Sequence, residues 1–412
     1  MSTSSNMIED IEKRLGYAQE YNTQSKKLGK IFILDSTLRE GEQSPGVTFT
    51  HRQRLQIAWM LDYFSVDAIE ISPIVSPDHE LSCKEMIKAG LAAKIVSHIR
   101  ALPNDIDVAL KCDSEWIAMY HSVSDIHLKY KLRVSREQAI ERSVEAVEYA
   151  HKHGLKMRFT LEDASRADPE FLKEMCREIS SAGADRIGIP DTVGAMNPHG
   201  MFNLIKTVKE DISTPLDLHC HNDLGLALAN TFAGVEAGAT QVHTTINGIG
   251  ERVGLVSLAE VVIGLTLLYH VNLDVRLNML SELSQLIDSY TGIKTHPAEP
   301  LVGYNAYKHK AGTHVAAIIR NPIAYELIPP KLVGNRRRII IGGLSGRSES
   351  AFLLKILGLN PNESTASSVA KGLKRLKSGD LFEIELSDNM ENQILEVEKN
   401  LNRKNPEGGE KN

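Results

Sequence analysis

From residue 31 onward the chain repeats one pattern: a short apolar, β-branched stretch, a polar loop, then a longer segment of helical period. The strand candidates are IFIL (31–34), DAIEIS (67–72), AKIVSH (93–98), WIAMYH (116–121), LKMRFT (155–160), DRIGIP (185–190), LDLHC (216–220) and QVHTTI (241–246). Strands that alternate with helices pair in parallel, because the crossover helix returns the chain to the same end of the sheet. Eight such repeats over about 240 residues fit a (β/α)8 TIM barrel in number and size. A doubly wound open sheet is the competitor, but it carries a Gly-rich phosphate turn after its first strand. Here that turn reads DSTLREGEQSPG, without GxGxxG. The stretch IDVALKC (106–112) suits either a strand or a helix, and is read as helix because a strand would break the alternation. In SREQAIERSVEAVEYAHKHG, Ser135 is placed to cap a helix and Gly154 to stop it.

The expected fold class is therefore α/β, a TIM barrel over 31–275. An amphipathic helical arm (1–30) precedes it. A linker and mostly helical extension (276–380) follows, then a polar tail (381–412) that is disordered by composition. Lys+Arg 47 against Asp+Glu 53 gives a net charge of -6, without the basic stripe of a nucleic-acid binder. The basic cluster NRRR (335–338) reads as a solvated strand end or a local phosphate contact. Cys83, Cys112, Cys176 and Cys220 form no CxxC pair, which points to a reducing compartment. The N-terminus lacks the layout of a signal peptide. The longest apolar run, LAEVVIGLTLLYHV (258–271), is too short for a membrane span and carries Glu260 and His270. These features lead us to expect a cytoplasmic protein with no membrane or nucleic-acid partner.

In such a barrel the C-terminal ends of the strands share one mouth. The polar residues expected there are Arg39 and Glu40 after strand 1, Glu70 in strand 2, His98 in strand 3, and Arg158, Thr160 and Glu162 at strand 5. Thr192 follows strand 6, His219 and His221 end strand 7, and Asn247 and Glu251 follow strand 8, so that only the fourth strand contributes nothing. Residues two apart on a strand face the same side, so His219 and His221 can share an ion while Cys220 faces away. A lone His-x-His pair is a weak signal. Glu40 strengthens it, since two imidazoles and a carboxylate leave open positions for substrate or water. Arg39 suits the stabilisation of negative charge developing on oxygen. Glu70, in an otherwise apolar strand, calls for a partner such as Arg39 or a metal-bound water. Arg158 calls for an anion, either a protein carboxylate or, with Thr160 donating beside it, a substrate carboxylate.

With those residues in place, LDSTLREGEQSPGV, HCHNDLGLALANTFAGVEAGATQVHTTINGIGERVG and NAYKHKAGTH resemble the signatures of the metal-dependent Claisen-condensing acyltransferases. These are the homocitrate, 2-isopropylmalate and citramalate synthases and their relatives. The resemblance covers about residues 30–345. It implies that Glu40, His219 and His221 hold a divalent ion (Zn, Mn, Co or Mg) and that Arg39 and Glu70 complete the cluster. It further implies that Glu162 and His314 form a proton-transfer dyad, with Tyr325 beyond, and that His98 and Thr192 contact substrate. The implied partners are acetyl-CoA, a 2-oxo acid and a second copy of the chain in a homodimer whose active sites are shared between subunits.

Within the family the sequence sits nearest the homocitrate synthases of lysine biosynthesis, which carry Arg-Phe-Ser/Thr at 158–160 and pair the arginine with the distal carboxylate of 2-oxoglutarate. Leu255 and Leu344 stand where the isopropylmalate enzymes carry Asn and His, and the chain ends about where their regulatory domain would begin. The loop SDIHLKYKL (124–132) occurs across several of these subfamilies and does not discriminate among them; its plainest reading is a barrel lid without chemistry. The alternatives are 2-isopropylmalate synthase, a citramalate- or citrate-forming relative, and a non-catalytic sensor. A hydroxymethylglutaryl-CoA lyase fits less well, since there is no Gly-Gly-Cys-Pro loop.

Overall fold

The computed structural model describes residues 14–22, 27–376 and 381–386. Eight parallel strands close into a barrel in sequence order: β1 (Phe32–Asp35), β2 (Ala68–Ile71), β3 (Lys94–Arg100), β4 (Trp116–Ser122), β5 (Lys156–Glu162), β6 (Arg186–Asp191), β7 (Leu216–Cys220) and β8 (Gln241–Thr244). Closure is made by β8 against β1, with His243 opposite Leu34. Each strand lies within two residues of its expected bounds, and the ambiguous stretch is a helix, Pro103–Lys111.

Local sequence explains the punctuation. Helix α1 (His51–Phe64) starts with a reciprocal capping box between Thr50 and Gln53. Pro77, Pro103 and Pro169 open the helices α2 (Pro77–Lys88), α3 (Pro103–Lys111) and α5 (Pro169–Ser181), where a missing N–H is harmless. Between them, α4 (Arg136–Lys152) starts with the same kind of box, between Ser135 and Gln138. The ring is completed by α6 (Pro198–Asp211), α7 (Ala227–Ala237) and α8 (Leu258–Leu267). Inside the barrel the residues come in layers. Phe32, Lys94, Trp116, Arg186 and Gln241 lie towards the N-terminal ends of the strands. Leu34, Ala68, Val96 and Ala118 pack together in the next layer. Towards the C-terminal ends stand His98, Tyr120, Thr160, Pro190 and His219.

The described residues divide into two compact units, 22–295 and 14–21 with 296–386. The first unit runs beyond 275 because it includes helix α9 (Leu280–Thr291), to which the Asn247 side chain donates at Ser284 O and Asp288 Oδ1. The second unit is not wholly helical. It contains β9 (Lys308–His309), β10 (Arg338–Ile341) and β11 (Phe382–Glu385) in the order β11-β10-β9, with α10 (Gly312–Arg320), α11 (Arg347–Ile356) and α12 (Glu363–Leu373). Its core gathers Val315, Ile339, Ile341, Phe352, Leu373 and Leu386.

Strand β11 lies inside the stretch expected to be disordered. Glu383 and Glu385 hold it there, 3.3 and 3.0 Å from the Arg338 guanidinium of the antiparallel neighbour. The basic cluster is likewise used internally: Arg337 pairs with buried Glu326 at 2.6 Å, and Arg336 pairs with Glu385. Of the expected N-terminal arm, Ala18–Tyr21 forms one helical turn, while residues 1–13 and the tail from 387 lie outside the described residues. Among the described residues no helix is long and apolar enough to cross a membrane. All four cysteines are buried and free.

Candidate active site

Glu40, His219 and His221 converge at the barrel mouth. His219 Nε2 lies 3.7 Å from Glu40 Oε2, and His221 Nε2 lies 4.0 Å from Glu40 Oε1. One donor atom from each lies within 4.8 Å of the others, and all three residues are buried. The donor set, one carboxylate and two imidazoles, fits a divalent ion. Burial, then the Arg39 charge, holds His219 well below its ordinary pKa, and burial likewise lowers His221, so both present the neutral form that a metal needs. His221 donates its Nδ1–H to Gly254 O at 3.1 Å, which leaves Nε2 free. For His219 Nε2 to be free, its Nδ1–H must donate to His243 Nδ1, 3.3 Å away. His243 Nε2 in turn lies 3.4 Å from Asp217 Oδ2 and 2.9 Å from Arg158 Nη1, so His243 stands between the ligand and both of these groups.

Beside the ligands runs a buried ionic network. Arg39 donates to Glu40 at 2.5 Å and to Glu70 at 2.7 Å; Glu70 also accepts from Ser36 and from Arg158. Burial would raise the Glu70 carboxyl, but the two guanidinium groups override it and hold it well below the usual carboxylate range. Glu70 thus meets the expectation of an Arg39 partner. The anion sought for Arg158 is supplied by the protein, namely Glu70. Arg158 also donates to Thr160 Oγ1 at 3.2 Å, and its Nη1 lies 2.9 Å from His243 Nε2. The network continues through Asp217, which accepts from Arg186 at 2.6 Å.

A mouth cavity of about 280 Å³ is lined by Arg39, Glu40, His98, Arg158, Thr160, Glu162, Thr192, His219 and His221 together. These ten expected residues of the barrel, with Glu70 behind them counted in, are therefore brought to one place. His98 stacks on Tyr120 with ring centroids 5.0 Å apart, and burial with the Arg39 charge pushes its pKa down to about 3. Thr192 Oγ1 accepts the Asp163 N–H at 2.9 Å. Glu162 accepts from Ser122 and from Lys131 Nζ, the latter at 2.7 Å. His314 and Tyr325 belong to the other unit, where their rings stack at 4.1 Å between centroids.

Some expectations need correction. The fourth strand does contribute, since Tyr120 lines the mouth, two positions beyond Ala118 on the inward face. Asn247 does not line it, because its amide is turned to α9, whereas Glu251 does and donates its backbone N–H to Glu40 Oε1 at 2.9 Å. His243 is absent from the expected residues, although its place two residues after Gln241 in β8 carries the alternation that marks an inward position. Lys131, on the loop 124–132, is likewise absent from the expected residues and lines the mouth.

Residues 30–287 match the HMGL-like family, and residues 301–380 match the homocitrate synthase post-HMGL domain-like family. A probable 2-isopropylmalate synthase of Ignicoccus hospitalis is 46% identical over 84% of this chain and 88% of its own. A homocitrate synthase of Pyrococcus horikoshii is 43% identical over 84% and 94%. A solved HMG-CoA lyase from Bacillus subtilis superposes with a TM-score of 0.59 at 18% identity, over 66% of this chain and 97% of that one, and shares the fold. The chain belongs to the HMGL-like family, in the branch that holds the homocitrate and 2-isopropylmalate synthases.

Proposed function

We propose that the protein is a homocitrate synthase, joining acetyl-CoA to 2-oxoglutarate and hydrolysing the thioester to give homocitrate and CoA in the cytoplasm. The observation that carries this reading is Arg158 beside Thr160 in the lining of the mouth. A guanidinium has five N–H groups, so Arg158 can keep Glu70 and Thr160 and still grip a distal carboxylate. An isopropyl group in that place would face a buried cation, which is unfavourable.

The residues take complementary roles. Glu40, His219 and His221 would hold the divalent ion, which supplies Lewis-acid polarisation of the keto group when bound. Arg39, fixed between Glu40 and Glu70, faces the oxygen that gains charge as the new carbon–carbon bond forms. Glu162, gripped by Lys131 and Ser122, is assigned to proton transfer at the acetyl methyl group, a step that a positioned base speeds by about 10²–10⁴-fold. His314 and Tyr325 are assigned to the same step from a second subunit. His98 and Thr192 are assigned to substrate contact.

The competing reading is 2-isopropylmalate synthase. It draws on the Glu70–Arg158 pair, which already neutralises the arginine, and on a relative named a probable 2-isopropylmalate synthase at 46% identity. Thiol release from acetyl-CoA by metal-supplemented protein, with 2-oxoglutarate, 2-oxoisovalerate, pyruvate and oxaloacetate offered separately, decides the matter. Preference for 2-oxoglutarate is expected. Preference for 2-oxoisovalerate would assign Arg158 to the protein's own structure, and silence with all four would favour a non-catalytic sensor.

A further inference from the structure

At the end of the barrel opposite the mouth, a second cavity of about 390 Å³ opens among the N-terminal ends of the strands. TIM barrels normally fill this space with layers of bulky branched side chains. Here the layer is Leu34, Ala68, Val96 and Ala118, and its two alanines leave β2 and β4 without bulk. The walls that remain are both apolar and cationic. Phe32, Leu34, Ala68 and Val96 line one side. Lys30 and Lys94 stand over the Phe32 and Trp116 rings, each Nζ 4.7 Å from the ring centroid. Among the described residues neither lysine forms an ion pair. Asp62 and Asp67 also line the cavity, and one carboxylate oxygen of each accepts a backbone N–H, from Ala93 at 2.7 Å and from Ile33 at 2.8 Å.

An apolar wall with two lysines beside it describes the complement of one ligand chemistry. We propose that this cavity is a second ligand site, for a small aliphatic carboxylate. Its carboxylate is taken by Lys94, whose Nζ stands over the Trp116 ring, and its hydrocarbon lies along Phe32, Leu34, Ala68 and Val96. The site is distinct from the mouth, yet Arg158 lines both cavities and is the one side chain common to the two linings. An occupant of the lower cavity therefore touches the residue that also lines the substrate pocket, and the two sites influence one another reciprocally.

The chain has two tryptophans, Trp59 and Trp116, so Trp59→Phe makes Trp116 the sole fluorescent reporter. Metal-loaded Trp59→Phe protein titrated with hexanoate should show a saturable change in emission in the millimolar range, and 1-hexanol a clearly weaker one. Ala68→Leu, which fills the cavity, should abolish the response. Lys94→Gln, at an exposed position that folding does not depend on, should weaken it by roughly two- to fivefold. Adding 2-oxoglutarate should change the hexanoate affinity; an unchanged affinity would remove the link through Arg158. A response that never saturates, or one that saturates equally in Ala68→Leu and Lys94→Gln, would overturn the site. None of these readings requires turnover, so they stand or fall apart from the proposed activity.

Discussion

Arg158 shows how far single residues could be read. An arginine inside a barrel strand must meet an anion, and that much follows from the sequence. Which anion does not, because Glu70 comes from three strands away and is brought beside Arg158 only by closure of the barrel. The metal triad was legible for a simpler reason: the period of two on β7 puts His219 and His221 on one face whatever the details of packing. Two outcomes belong to this scale. Arg158→Ala should lose turnover of 2-oxoglutarate while keeping the bound ion, since Glu70 retains Arg39 and Ser36; a substrate profile with metal analysis checks both halves. His219→Ala should lose ion and turnover together, and an unchanged metal content would mean that the ion sits elsewhere.

Helix starts and strands were the most readable elements, because caps and alternation are written in neighbouring residues. Ser135 is the clearest case, and its capping box with Gln138 is present as the sequence suggests. Ser135→Ala should lower stability by about 1 kcal/mol, measured as a shift in the urea midpoint of the first unit, with little change in KM. Loops were the least readable. Lys131 follows a short helical segment, Asp125–His127, and lies within the wider turn Leu128–Leu132 that continues it. Where a long, flexible side chain ends up depends on how that turn packs, and no local pattern encodes it. Its contact with Glu162 predicts that Lys131→Ala lowers kcat by roughly tenfold to a hundredfold without loss of ion; an unchanged kcat would mean that the lysine takes no part in positioning Glu162.

For the whole molecule, the order of eight strands and the parallel closure followed from the repeat alone. The second unit was harder to foresee, because β9 and β11 are short and gain their place from pairing with β10 rather than from their own propensity. His314 and Tyr325 lie in that unit, and their assignment to a partner's barrel leads to a test by subunit mixing. Combining His314→Ala chains with Arg39→Ala chains should restore part of the activity that each lacks, since one mixed site in the dimer would be intact; absence of rescue would argue for a self-contained barrel. The column of charged groups from Arg186 and Asp217, across neutral His243, to Arg158, Glu70, Arg39 and Glu40 has a further consequence, which concerns heat. The hydration that such groups forgo becomes less favourable as temperature rises, while the gain from burying hydrocarbon levels off. Warming therefore shifts the balance of forces inside this barrel from its oily layers to its ionic column, and the mouth is the part of the barrel that the column holds in shape.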